Sequence, residues 1–127
     1  MNSKEIFWSS IRINFDILLI LEPKECCWIV HLVGAHNNRF NNIYTKKNKL
    51  VNDMPYYVDR RLSAIWFDGI GWNIGTILDV KDGTVGHLYT KEFVDCPADT
   101  NAWLEWIDGE WNKSFAKPSC VKDTNKN

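Results

Sequence analysis

Two short stretches of this chain nearly repeat one another, and they restrict the fold more than any other feature. Ala64–Gly75 reads AIWFDGIGWNIG, and Glu105–Ser114 reads EWIDGEWNKS. The shared skeleton is Trp-x-Asp-Gly, a spacer, then Trp-Asn. Trp66 and Trp106 lie 40 residues apart, and Trp72-Asn73 corresponds to Trp111-Asn112 with one residue fewer in the second turn. Asp-Gly between short apolar runs is hairpin chemistry, because glycine reaches positive φ without penalty and aspartate tolerates it better than most residues. Both stretches are therefore expected to be antiparallel hairpins, and the rest of the chain must pack around them.

The flanking sequence extends the same pattern. Residues 26–33 (CCWIVHLV) are apolar and partly β-branched and stop at Gly34, which predicts a strand. Alternation puts Cys27, Ile29, His31 and Val33 on one side and Trp28, Val30 and Leu32 on the other, core side. Asn42–Thr45 predicts a short strand, Lys46–Asp53 a charged hairpin tip, and Pro55–Val58 the return strand. Thr76–Val80 and Val85–Tyr89 flank Asp82-Gly83, which predicts a further hairpin, and Phe93–Asn101 reads as a loop. Seven to nine short strands with turns at close spacing predict an all-β domain: a small antiparallel meander, built from hairpins, closing into a barrel or sandwich. Domain limits read as an N-terminal extension over 1–25, a β domain over 26–117 and a flexible tail over 118–127. Phe7, Trp8, Ile11 and Phe15 have a loose helical spacing, so the extension is expected to hold a short amphipathic helix ending before Pro23.

With 127 residues, 45% of them hydrophobic, the chain can bury a core as one domain without cross-links. A formal net charge of −1 gives no global field for nucleic acid. Lys46, Lys47, Lys49, Arg60 and Arg61 form the basic clusters and read as solvated loops, with no aromatic–basic alternation to mark a nucleic-acid surface. The longest apolar run, Ile17–Leu21, is too short to insert in a membrane. Four cysteines are present. Cys26 and Cys27 are adjacent and do not easily bond to each other. Cys96 and Cys120 flank the second Trp hairpin, so a Cys96–Cys120 bridge is expected if the protein is exported. In a reducing compartment all four read as thiols. Asn112-Lys113-Ser114 is a glycosylation sequon. Together these features favour an extracellular or cell-surface location. Glu5 and Asp16 interrupt the N-terminal region, however, which makes no clean signal peptide and leaves an intracellular location open.

A resemblance adds to this reading. The order Gly34-Ala35, Asn42–Tyr44, Pro55-Tyr56, Ile65-Trp66, Trp72–Gly75, Cys96-Pro97, Trp103 and Gly109–Trp111 resembles a Trp-rich all-β module of roughly 90 residues in multidomain predicted proteins of invertebrates and protists. It covers about residues 28–115; residues 1–25 have no counterpart. The resemblance implies a portable, non-catalytic unit and brings no activity with it.

With seven tryptophans in the chain, the question is which rings are inside. Trp66, Trp72, Trp106 and Trp111 either form a stacking platform for sugar rings or make the core, where large aromatics supply much of the buried area. On the platform reading, Asp68, Asn73, Asp108 and Asn112 meet sugar hydroxyls. The acidic turns at Asp68, Asp79, Asp82, Asp95, Asp99 and Asp108 match no EF-hand loop and read as turn residues. Cys26, Cys27, His31 and His36 lack zinc-site spacing, so no metal ligand set and no cofactor is expected. No nucleophile motif surrounds a serine or cysteine; a Cys96–His87 pair has no local support. The expectation is a non-catalytic binding module, with Trp66, Trp72, Asn73, Trp106, Trp111 and Asn112 as candidate ligand-binding residues and carbohydrate or protein as partner. The alternative is an intracellular protein-interaction domain whose tryptophans are all structural; a small hydrolase is the third reading.

Overall fold

The structure, a computed structural model, describes residues 25–122. Among these residues nine strands form one antiparallel sheet. They are β1 (Ile29–Val33), β2 (Ile43–Val51), β3 (Met54–Val58), β4 (Ser63–Phe67), β5 (Trp72–Thr76), β6 (Leu88–Thr90), β7 (Trp103–Ile107), β8 (Glu110–Ser114) and β9 (Lys117–Cys120). Their order across the sheet is β8-β7-β6-β5-β4-β3-β2-β1-β9. Strands β1 to β8 make a meander, each pairing with the next, and β9 crosses to the far edge beside β1. Only Phe115 and Ala116 separate β8 from β9. Three Cα steps span at most about 11 Å, so the two edges approach each other and the sheet curls into a half-barrel. Gly34 permits this closure: a Cβ there would overlap the carbonyl of Phe115.

The all-β expectation is what the structure shows, and the Trp hairpins are β4–β5 and β7–β8. Several local expectations differ. The charged stretch expected as a loop continues β2 to Val51, and the hairpin tip shrinks to Asn52 and Asp53, both at positive φ as a primed turn requires. The hairpin expected around Asp82-Gly83 is instead a short helix, α1 (Ile77–Asp82). Thr76 caps it, with its side chain accepting from Asp79 N and the Asp79 side chain accepting from Thr76 N. Gly83, at φ +70°, ends it. Local capping outweighs the β-branched content of residues 76–80, and β5 pairs with β6 beyond the helix. The expected tail is ordered as far as Cys120, because Lys117–Cys120 hydrogen-bonds along β1. The expected N-terminal helix lies outside the described residues.

The concave side of the sheet holds the core. Val30 and Leu32 come from β1, Tyr44 from β2, Tyr57 from β3, Ile65 and Phe67 from β4, Trp72 and Ile74 from β5, Leu88 from β6 and Trp103 from β7. Buried aromatic polar atoms find partners, as burial demands. Tyr44 Oη donates to Phe40 O, Tyr57 Oη to Cys27 O, Trp72 Nε1 to Val94 O and Trp103 Nε1 to Thr100 Oγ1. Burial pushes the Tyr57 phenol up to about 12 and raises Tyr44 as well. Glu105 is a buried carboxylate on β7. Its oxygens accept the backbone N–H groups of His36 and Asn37, both at 2.8 Å, and the hydroxyl of Ser114 at 2.9 Å. One side chain thus ties the loop after β1 to the second Trp hairpin.

The cysteines do not pair as the spacing suggested. The bridges are Cys26–Cys96 and Cys27–Cys120, in place of Cys96–Cys120. Consecutive residues of an extended chain point to opposite sides, so Cys26 and Cys27 take different partners. They span sequence separations of 70 and 93. Loops of that size are each worth about 4.5 kcal/mol in the chain-entropy picture. Both bridges leave the segment before β1 clamped to the loop before β7 and to β9.

Candidate functional site

A one-residue difference in the spacing between the two tryptophans of each hairpin, Trp66 to Trp72 against Trp106 to Trp111, decides which rings reach solvent. In β4–β5 the turn holds four residues, Asp68–Gly71, and Phe67 pairs with Trp72 while Trp66 pairs with Asn73. In β7–β8 the turn holds two, Asp108 and Gly109, and Trp106 pairs directly with Trp111. Cross-strand partners share a face, so a one-residue offset moves a side chain to the other side of the sheet. Trp72 therefore points into the core, whereas Trp111 joins Trp106 on the convex face.

Trp66 is also convex but is not exposed. Its ring packs over Gly75 and Gly86: a Cβ added at either would lie 3.2 or 3.1 Å from the indole. The helix α1 and the segment leading to β6 close over it, leaving it 3% exposed. Trp106 and Trp111 are 47% and 37% exposed. Their rings meet edge to face, with centroids 5.2 Å apart. Tyr89 on β6 meets Trp111 in the same way at 4.7 Å. Such edge-to-face contacts hold aromatic rings in fixed orientation. The result is a three-ring cluster on the convex face.

Trp111 divides two hollows. One, of about 240 Å³, is lined by Asp68, Asn73, Tyr89, Lys91 and Trp111. The other, of about 330 Å³, lies between Gly86, His87, Trp106 and Trp111. Both are apolar in large part, with a few convergent polar groups, as in small-ligand sites. Asp68 Oδ1 accepts from Ile70 N and Gly71 N, and Oδ2 accepts from Asn73 Nδ2. Burial works to raise the Asp68 carboxyl, but the backbone N–H groups of Gly71 and Ile70 and the Asn73 amide outweigh it. They hold it below the usual carboxylate range.

Of the sequence-derived candidates, Trp106 and Trp111 come together here and Asn73 lines the adjoining hollow. Asn73 is itself buried and engaged, accepting from Gly86 N at 3.0 Å. Trp66 and Trp72 are packing residues. Asn112 is exposed, pairs with Glu105 rather than sharing the face of Trp111, and donates to the carbonyls of Ile107 and Glu110. Tyr89 and Lys91 carry no local motif that marks them as site residues. The alternation through Val85–Tyr89 put Tyr89 on a strand, but only strand order brings it to Trp111.

Trp28 was expected in the core and is instead 42% exposed. It lines a separate groove with Lys46, Leu50 and Met54. The Lys46 ammonium sits 4.4 Å from the Trp28 ring centroid and donates to Cys26 O. The protein's own cation thus occupies that ring. Among the described residues no group of three or more His, Cys, Asp or Glu side chains converges on a metal position. Cys96 is a disulfide partner, so it offers no thiol to His87. No helix among the described residues is long and apolar enough to cross a membrane. Comparison with protein-family models, curated proteins and solved structures found no match for this chain.

Proposed function

We propose that this chain is a non-catalytic, exported binding module that takes carbohydrate on its convex aromatic face. The observation that carries the reading is the Tyr89–Trp111–Trp106 cluster: rings held edge to face, two of them well exposed, with polar groups at their margins. The apolar C–H face of a sugar ring lies on such a surface, and its hydroxyls reach the polar margin. Asp68 and Lys91 supply that margin in the hollow beside Trp111. Two disulfides are compatible with an extracellular location.

The test is a glycan array followed by titration calorimetry on the native protein and a Trp106→Ala/Trp111→Ala variant. The variant should stay folded and bind at least about 30-fold more weakly, in line with the ~2 kcal/mol or more carried by interface tryptophans. Undiminished binding would remove this face as the site. Absence of any glycan binding by the native protein would move the search to protein partners.

A further inference from the structure

We infer that the carbohydrate taken by this face is anionic, with its acidic groups held by Lys91 and Lys113; this rests on the carbohydrate reading above. The sheet register places the two lysines. Tyr89 pairs with Leu104 across β6–β7, and Leu104 pairs with Lys113 across β7–β8. Tyr89, Leu104 and Lys113 therefore stand abreast on the convex face. At about 4.8 Å per strand, Lys113 lies roughly 10 Å from Tyr89. Lys91 follows Tyr89 by two residues, roughly 7 Å along the chain. Tyr89, Lys91, Leu104 and Lys113 line one groove of about 730 Å³. Tyr89, Thr90 and Lys91 also line the hollow beside Trp111, so the groove runs on from the aromatic cluster.

The acidic groups along this path are already engaged. Asp68 accepts three hydrogen bonds from its own hairpin. Glu92 Oε2 accepts from the backbone N–H groups of Asn101 and Ala102 and from the Thr90 hydroxyl. Glu110 pairs with Ile107, one position out of step with Trp111, and so stands on the opposite side of β8. Lys46 and Lys117 donate to backbone carbonyls. The ammonium groups of Lys91 and Lys113, by contrast, have no hydrogen-bond or ion-pair partner among the described residues. Asp68 and Glu92 keep their negative charge but spend it on hydrogen bonds within their own loops, so the charged side chains left without a partner beside the aromatic cluster are both positive. An ammonium is a point charge that takes a carboxylate or a sulfate alike, so uronate-bearing and sulfated chains share the chemistry.

Three probes separate the possibilities: carboxyl-reduced chondroitin, which is neutral; unsulfated chondroitin, which carries uronate; and chondroitin sulfate. Binding of each to the full chain is measured by calorimetry at two salt concentrations. The native protein should bind at least one acidic form tenfold or more tighter than the neutral one, with the preference shrinking as salt rises. The relative affinities of the two acidic forms tell carboxylate from sulfate recognition. A Lys91→Gln/Lys113→Gln variant should bring the acidic form down to the neutral level, and Lys91→Arg/Lys113→Arg should keep the preference. Equal affinity for neutral and acidic forms overturns this inference while the carbohydrate reading stands. A preference that survives the double glutamine variant overturns the assignment to these lysines. Failure of all three probes, together with an empty glycan array, removes both readings.

Discussion

The hairpins β4–β5 and β7–β8 carry the same Trp-x-Asp-Gly…Trp-Asn skeleton, yet one is interior and the other presents a surface. Every residue of β4 is buried, because its concave side faces the core and its convex side lies under α1 and the segment before β6. Among the described residues nothing covers the convex side of β7–β8, and four of the five β8 residues are exposed. The inner side of β7 is as firmly held as that of β5, through Trp103 and Glu105. The comparison teaches that tryptophan spacing alone does not decide burial. The position of the second tryptophan relative to the turn sets which strand face its ring occupies, and the neighbouring elements set whether that face is covered.

The sharpest way to break the comparison is to remove equivalent rings. Trp72→Ala should cost about 3–5 kcal/mol, as large-to-small changes in a core do, and leave little folded protein in a denaturant titration. Trp111→Ala should cost about 1–2 kcal/mol, since a ring 37% exposed has less burial to lose than Trp72. Equal losses would mean that the second hairpin is core after all.

Glu105→Ala comes next. It leaves two part-buried backbone N–H groups without an acceptor and should destabilise by about 1–2 kcal/mol. Protection of the His36 and Asn37 amides against hydrogen exchange should fall more than that of β4. A uniform loss of protection would show that Glu105 does not act locally on this loop.

Inserting one glycine after Gly109 gives the second hairpin the Trp-to-Trp spacing of the first. Trp111 should then leave the face of Trp106, and the near-UV circular dichroism of the coupled rings should collapse, with a stability cost of about 1–3 kcal/mol. An unchanged spectrum would show that tertiary contacts, not this spacing, orient the ring.

The smallest effect is on pH dependence. The Asp68 carboxyl is held below its ordinary range by hydrogen bonds that need the ionised form. The unfolded chain therefore binds this proton at a higher pH than the folded one. The contribution of Asp68 is complete above the ordinary carboxylate pKa and is lost as pH falls through its lower folded value. Asp68→Asn should lower stability at neutral pH by under about 1 kcal/mol, since this carboxylate is largely solvent-exposed, and flatten the acid side of the melting-temperature profile. A profile as steep as that of the native protein would place the acid sensitivity elsewhere, with Glu92 next in line because its backbone hydrogen bonds depress its carboxyl in the same way.

The legible parts of the structure were those set by neighbours in the chain. The Asp-Gly turn of the β7–β8 hairpin, the β-branched run through Val30 and Leu32, and the strand start at Pro55 follow from local backbone preferences, so the all-β class could be read directly. The Thr76–Asp79 capping box was equally local and outweighed the apolar pattern that pointed to a strand. The features that hold and equip the site are not local. Cys27 reaches Cys120 because β9 crosses to the edge beside β1. Trp66 is hidden because glycines 75 and 86 leave room for its ring. Tyr89 meets Trp111 because β7 lies between their strands. Chain neighbours settle which dihedral angles are cheap; strand order and register settle which side chains, far apart in sequence, share a face. The sequence by itself determined the hairpins, and only the tertiary structure decided which of their tryptophans face water.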